Sequence, residues 1–179
     1  SPSDLGGAKA LPGEAATLDE AAAKRRGRLL HLLLEHLPLA PPPDWPELAR
    51  QILSDPNDPP NDGEIEPLLR DVGRVLAMPE MARFLTPEAL TEVELTATLP
   101  ELGGRQIHGT IDRLVITPTQ LHVLDYKSNA VVPVSAAQTP LGILRQMAAY
   151  RAALQQIYPQ HQIVSQILWT AAPSLMTLG

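Results

Sequence analysis

The spacing of apolar residues changes near residue 90, and this change constrains the fold more than any other feature of the chain. Before it, leucine, isoleucine and valine recur at three- and four-residue intervals, as in helices that bury one face. After it, three segments alternate apolar with polar side chains, as in half-buried strands. The sequence therefore predicts an α/β domain with a helical N-terminal half.

The helical half contains several segments separated by proline-rich breaks. Thr17 is a suitable N-cap for the first helix, and the leucines of that helix's second half predict a buried end. Asp62 is a suitable cap for a later helix that ends near Leu76. The predicted helices cover residues 17–38, 45–53 and 62–76, with a short continuation over 78–85.

The alternating half predicts a three-stranded meander, then a helix and one further strand. The strands cover 91–99, 105–116 and 120–127, with a turn at Pro118 and Thr119 between the last two. Helical spacing returns over 140–157, and 163–169 is the last predicted strand. No internal repeat is visible. Residues 1–15, rich in glycine and proline, are predicted to be a flexible linker, and 16–179 a single domain.

Composition excludes several classes of protein. The chain has no cysteine, which rules out disulfides, thiolate metal sites, iron–sulfur clusters and cysteine nucleophiles. Aromatic residues make up only 3%, too few for base-stacking platforms. No apolar run is long enough to span a bilayer and no signal peptide opens the chain, so we expect a cytoplasmic protein. The first residue is not methionine, and we expect a piece of a longer polypeptide.

The net charge of −6 is concentrated in residues 1–100, which carry 9 basic and 17 acidic residues. The remaining residues carry 5 basic and 3 acidic ones. A strongly basic DNA-binding surface is therefore absent. We expect any nucleic acid substrate to be delivered by another region or by a partner.

Two aspartates lie in strands, where aspartate is disfavoured. A turn between Pro118 and Thr119 would place Asp112 opposite Asp125, and carboxylates at that spacing suit a shared divalent cation. Lys127 projects from the same strand face as Asp125. Alternatively, Asp112 pairs with a neighbouring arginine, while Asp125 and Lys127 mark a solvated strand end. The combination of facing acids with a lysine on the same face favours the metal site.

His31 lies among leucines on the first helix, with Glu35 one turn later on the same face. A lone buried histidine is more often a core residue than a ligand, so His31 is a ligand only if its helix packs against the two aspartates. In that case Glu35 could orient it. The basic run 24–28 before it is either a solvated face or a phosphate-binding surface.

Gln146 and Tyr150 share one face of the predicted helix 140–157. The pair is either a packed tyrosine with a polar neighbour or part of a site. Glu92 and Glu94 share one strand face, and the sequence does not decide whether either approaches the aspartates.

Four motifs in this order resemble those of the RecB-family branch of the PD-(D/E)XK nucleases. They are His31 to Glu35, Gly109 to Leu114, Asp125 to Asn129, and Gln146 to Tyr150. The similarity runs from about residue 17 to the end, and the C-terminal motifs look like those of AddA-type helicase–nucleases. Ser128 stands where threonine is commoner.

The resemblance implies a restriction-endonuclease-like core and a DNA exonuclease that depends on Mg²⁺ or Mn²⁺. It assigns metal binding to His31, Asp112 and Asp125, catalysis to Lys127, and a supporting role to Gln146 and Tyr150. It also implies helicase domains on the parent chain, an AddB-like partner subunit and double-strand-break repair. The alternatives are a catalytically silent DNA-engaging or scaffold domain and a hydrolase of small phosphoesters.

Overall fold

The fold is given by a computed structural model that describes residues 5–9, 20–100 and 103–179, with the backbone alone for Glu20. The predicted order of helices and strands is confirmed, while the predicted cap Thr17 lies outside the described residues. Short 3₁₀ turns cover Leu37–Leu39, Pro42–Asp44, Pro79–Phe84 and Ala136–Gln138. The helices are α1 (Glu20–His36), α2 (Trp45–Ile52), α3 (Asp62–Leu76) and α4 (Leu141–Ile157). The strands are β1 (Leu90–Leu99), β2 (Arg105–Ile116), β3 (Gln120–Lys127), β4 (Gln162–Trp169) and β5 (Ser174–Leu178).

The cap of α3 differs from the prediction. Asn61, not Asp62, is the N-cap: its side-chain oxygen accepts a hydrogen bond from the backbone N of Glu64 at 3.1 Å. The Glu64 carboxylate in turn accepts from the backbone N of Asn61 at 3.0 Å, which completes a capping box. Asp62 is already helical, and its negative charge lies in the first turn, where the helix dipole favours it.

The five strands form one sheet in the order β1-β2-β3-β4-β5. The β3–β4 pair is parallel, because α4 carries the chain across the sheet between them, and the other pairs are antiparallel. The prediction that β4 is the last strand is wrong. Strand β5 has only five residues and lies at the sheet edge with half-buried side chains, so its alternation is too short to indicate a strand.

Helices cover both faces of the sheet. Helices α1 to α3 pack on one face, where they contact Leu124, Tyr126 and Leu168. Helix α4 packs on the other, against a core that includes Val123 and Ile167. The predicted burial of the end of α1 is confirmed, since several of its leucines are fully buried and each contributes about 2 kcal/mol of hydrophobic stabilisation. This packing brings α1 beside β2 and β3.

Residues 5–9, which fall in the predicted linker, contact the first turn of α4. The backbone N of Gly142 donates to the carbonyl of Ala8 at 2.7 Å, and Arg145 Nη1 donates to the carbonyl of Leu5 at 3.2 Å. A Cβ at Gly142 would lie 2.8 Å from the Gly7 carbonyl oxygen, so this close approach requires glycine. The domain boundary near residue 15 lies outside the described residues and stays a prediction. None of the described helices is long and apolar enough to cross a membrane.

Candidate active site

The β2 and β3 strands separate where the two aspartates lie. Their register is the predicted one, but the last backbone pair is Arg113–Leu124, one pair before Asp112 and Asp125. Beyond it, the backbone N of Tyr126 donates to Asp112 Oδ2 at 2.5 Å. A side-chain carboxylate thus takes the hydrogen bond that a strand carbonyl would otherwise accept. This opening gives room for two acidic groups in neighbouring strands.

Helix α1 brings His31 to this opening. His31 Nδ1 lies 3.5 Å from Asp112 Oδ1, and the ring stands edge-on to Tyr126 with centroids 5.5 Å apart. Burial opposes protonation of the ring, but the hydrogen bond and the charge of Asp112 outweigh it, so the pKa of His31 is raised. His31 is therefore part of the acidic site and not only a core residue.

Asp125 is buried, and its carboxylate accepts hydrogen bonds from two side chains. Lys127 Nζ donates to its Oδ2, and Gln146 Nε2 donates to its Oδ1 at 3.1 Å. Burial raises the pKa of Asp125, the negative charge of Asp112 adds to this rise, and the positive charge of Lys127 opposes it. Asp125 and Lys127 thus form a largely buried ion pair rather than a solvated strand end.

Gln146 and Tyr150 extend the same network along α4. The Gln146 amide also donates to the Tyr150 hydroxyl at 3.0 Å, and that hydroxyl donates to the carbonyl of Thr110 at 2.7 Å. Burial raises the pKa of Tyr150, so its hydroxyl stays protonated and remains a donor. The two residues connect Asp125 to the backbone of β2.

Glu92 is an acidic residue whose position the sequence left open. In β1, Thr91 pairs with Arg113 and Val93 with Ile111, which places Glu92 opposite Asp112. Its φ of 48° lies in the left-handed region, which costs a non-glycine residue about 1 kcal/mol or more. Burial and then the charge of Asp112 raise the pKa of Glu92. A further carboxyl group therefore lies at the site, on a strained backbone.

The supporting role predicted for Glu35 is not visible as a contact. Within the described residues, its carboxylate lies 3.6 Å from His36 Nε2, and it forms no hydrogen bond or ion pair with His31. That role stays a prediction.

The basic run at the start of α1 is engaged in ion pairs. Arg25 Nε lies 2.7 Å from Asp58 Oδ2 and also contacts Glu64, Arg26 contacts Asp71, and Arg28 Nη2 lies 3.2 Å from Asp58 Oδ2. These arginines tie α1 to α3 and to the loop before it. The interpretation of this run as a phosphate-binding surface loses its support, because acidic side chains already neutralise these three arginines.

An open cleft of about 560 Å³ adjoins the site. Gln146, Tyr150 and Thr110 border both the cleft and the Asp125 network, and the cleft continues past Glu94 to Thr96 and His108. The side chains of Thr96 and His108 are hydrogen-bonded at 2.9 Å between Oγ1 and Nδ1. Such an open shape suits part of an extended substrate better than an enclosed small molecule.

The donor chemistry of the site suits a hard divalent cation. One imidazole nitrogen and two carboxylates match Mn²⁺, and the carboxylates match Mg²⁺. Within the described ranges, however, no three histidine, aspartate or glutamate side chains form a complete metal cage. Asp125 Oδ2 holds Lys127 instead. An ion at Asp125 would therefore either share this carboxylate with Lys127 and Gln146 or displace Lys127 Nζ from Oδ2.

Sequence reasoning missed two features beside the site. Arg113 is buried next to Asp112, and the only sequence signal was a pair of charged residues flanked by Ile111 and Leu114 in β2. Gly27 of α1 approaches Ser128 so closely that a Cβ would lie 2.6 Å from the serine Oγ. The sequence offered no signal for that approach, since it joins two distant segments.

A model of the PD-(D/E)XK nuclease superfamily matches residues 6–174 of the chain. The chain belongs to this superfamily. The helices followed by a five-stranded mixed sheet agree with the restriction-endonuclease-like fold expected of a PD-(D/E)XK nuclease. A comparison with curated proteins finds no match. Superfamily membership indicates a hydrolase of the nuclease class, whose members typically use divalent metal ions.

Proposed function

We propose that this chain is a DNA exonuclease domain that depends on Mg²⁺ or Mn²⁺ and belongs to an AddA-type helicase–nuclease of the RecB family. The observation that carries the proposal is the convergence of His31, Asp112, Asp125 and Lys127 from α1, β2 and β3. His31 is about 80 to 100 positions from the other three residues in the sequence, yet all four meet at one opening in the sheet. The order of the four motifs and the absence of cysteine support the AddA-type assignment.

The residues have separable roles in phosphodiester hydrolysis, in which water attacks phosphorus and the bond from phosphorus to a deoxyribose oxygen breaks. His31, Asp112 and Asp125 would hold the cation, which supplies Lewis acidity and activates water. Lys127 Nζ places a positive charge beside the carboxylates and stabilises the negative charge that develops on the phosphate oxygens. Gln146 keeps Asp125 in place, and its own orientation is fixed by Tyr150.

The substrate in this proposal is a single DNA strand that the motor domains of the parent chain deliver, with an AddB-like subunit as partner. The net charge of −6 and the ion pairs of the α1 arginines weaken the attraction of this domain for DNA phosphates. Tethering to a motor would raise the local concentration of the strand. Such an assembly would resect double-strand breaks for recombinational repair in the bacterial cytoplasm.

A second candidate is a catalytically silent domain of the same fold that engages DNA or acts as a scaffold. The Asp125–Lys127 ion pair and the incomplete metal cage among the described residues favour it. A hydrolase of small phosphoesters receives less support, because the cleft beside the site is open.

Calorimetric titration of Mn²⁺ into the purified domain, with cleavage of a labelled single-stranded DNA in parallel, separates these candidates. We expect the wild type to bind Mn²⁺ and Asp112→Ala to lose both binding and cleavage. Asp71→Asn is the matched control, because it removes a carboxylate that pairs with Arg26 away from the site. Equal Mn²⁺ affinity in the wild type and Asp112→Ala would overturn the assignment. An intact fold without Mn²⁺ binding would favour the silent domain.

A further inference from the structure

Arg113 is a buried cation that pairs with neutral oxygens. The residue is 3% exposed, and its guanidinium forms four hydrogen bonds. Among the described residues, no carboxylate oxygen lies within ion-pair distance of it. Its acceptors are the Tyr126 hydroxyl at 3.0 Å, the Phe84 carbonyl at 3.0 Å, and the Leu34 and Glu35 carbonyls at 2.7 and 3.3 Å.

Three of these acceptors lie at the ends of helical segments. Leu34 and Glu35 belong to the last turn of α1, whose carbonyls have no partner within the helix. Phe84 is the last residue of the 3₁₀ turn Pro79–Phe84. A positive charge at a helix C-terminus also interacts favourably with the helix dipole. Arg113 therefore fastens the end of α1 and this turn to β2.

The fourth acceptor connects Arg113 to the site. The Tyr126 hydroxyl binds Arg113, the Tyr126 ring packs against His31, and the Tyr126 backbone N binds Asp112. Arg113 follows Asp112 directly in β2, while His31 lies one turn before the carbonyls that Arg113 holds. The contacts thus form a closed ring from Arg113 through α1 and His31 to Asp112.

From this ring we infer that Arg113 is a positioning residue, which sets the distance between the His31 imidazole and the Asp112 carboxylate. It touches neither the substrate nor the reacting atoms in the proposed reaction. The consequence for metal binding rests on the proposed function, whereas the placement of His31 follows from the contacts alone. Without Arg113, the end of α1 loses the hydrogen bonds that its carbonyls accept from β2, and the His31 ring loses its fixed place.

Lysine cannot replace this group. A planar guanidinium reaches four oxygens in different directions, whereas an ammonium on a flexible stem has three donors and holds its partners less rigidly. The substitution Arg113→Lys keeps the positive charge and removes the planar guanidinium group with its fixed donor directions. It therefore tests geometry rather than charge.

The experiment compares Arg113→Lys with the wild type by two measurements. The second of them is also made in a His31→Ala background. The first is the NMR position of the His31 ring resonances in metal-free protein at a fixed pH. The second is Mn²⁺ affinity by calorimetry, with Mn²⁺ alone as the probe. We expect shifted His31 resonances and about 10-fold weaker Mn²⁺ binding. In the His31→Ala background, Arg113→Lys should weaken Mn²⁺ binding no further.

Two further variants serve as a control and as a replacement for Arg113→Lys. Arg83→Lys is the control, since Arg83 is an arginine of the same 3₁₀ turn that contacts His122 away from the site, and it should change neither measurement. Tyr126→Phe carries the test if Arg113→Lys does not fold, because it keeps the ring and removes only the hydroxyl bonded to Arg113. It should shift the same resonances with a smaller loss of affinity.

Unchanged His31 resonances in the folded variants would overturn the positioning role. So would a loss of Mn²⁺ affinity that persists in full without His31, since that result would mean a general structural effect. If the wild type binds no Mn²⁺, the proposed function fails. The placement of His31 is then decided by its resonances.

Discussion

Replacing Lys127 with methionine should destabilise the protein in a pH-dependent manner. Methionine preserves most of the apolar stem and removes the charge that Asp125 faces in a largely buried pair. Removing one partner of a fully buried pair costs about 3 to 5 kcal/mol. The Lys127 side chain is 18% exposed, so water screens part of this interaction. We therefore expect a loss of about 2 kcal/mol near neutral pH.

The direction of the pH dependence follows from Asp125. Burial raises its pKa above the usual value of 3.8, so the folded protein holds this proton more tightly than the unfolded chain. Ionised Asp125 therefore costs stability, and the cost grows as pH rises from the unfolded pKa to the folded one. Loss of Lys127 raises the folded pKa further. The wild type and Lys127→Met should thus be similarly stable at pH values near the usual pKa of 3.8 and diverge as the pH rises through the raised pKa of folded Asp125.

Urea unfolding of both proteins across this pH range measures the effect. The same substitution in an Asp125→Asn background is the control, where it should cost less than about 0.5 kcal/mol. A loss of equal size at every pH, or in both backgrounds, would refute the reasoning. It would mean that Lys127 stabilises the fold through its stem alone. At a solvated strand end, the loss of Lys127 would leave the melting temperature unchanged, and the buried ion pair with Asp125 reverses that expectation.

The remaining predictions concern rate, packing and delivery. Lys127→Met should slow cleavage of single-stranded DNA by about 100-fold or more at saturating Mn²⁺, and a change of only a fewfold would make Lys127 a structural charge. Gly27→Ala should leave the stability measured by thermal denaturation almost unchanged. The higher helix propensity of alanine contributes about 1 kcal/mol, but the new Cβ displaces the Ser128 hydroxyl. In a Ser128→Ala background, the same substitution should stabilise the protein by about 1 kcal/mol. The isolated domain should cleave DNA weakly and with strong salt sensitivity, and cleavage as fast as that of the parent assembly at physiological salt would contradict delivery.

The sequence predicted those parts of the site that depend on local geometry. The short turn at Pro118 and Thr119 fixes the register of β2 against β3, and so the neighbourhood of Asp112 and Asp125 could be worked out from residue numbers. The place of Glu92 could not, because the connection between β1 and β2 did not specify a turn type and hence a register. The α3 cap was misplaced by one residue because asparagine and aspartate are both good N-caps.

Interactions between residues that are far apart in the chain could not be predicted from the sequence. The arginines of α1 looked available for phosphate, since nothing in a sequence shows that Asp58 and Asp71 lie opposite them. The partners of Arg113 could not be predicted for the same reason, because three of its four acceptors are backbone carbonyls, which every residue has. Charge patterns indicate which groups need partners, and the packing of helices on the sheet decides which partners they find.

The ring of contacts through Arg113 also bears on how a nascent chain acquires its site. Leu34 and Arg113 are 79 residues apart, so α1 leaves the ribosome long before the strands on which it docks exist. Contacts of such long sequence separation form slowly, because the intervening loop must first be closed. We therefore expect His31 to meet Asp112 late in folding, after β2 and β3 have paired. A chain whose synthesis stops before β3 therefore lacks Asp125 and Lys127 and has no assembled site.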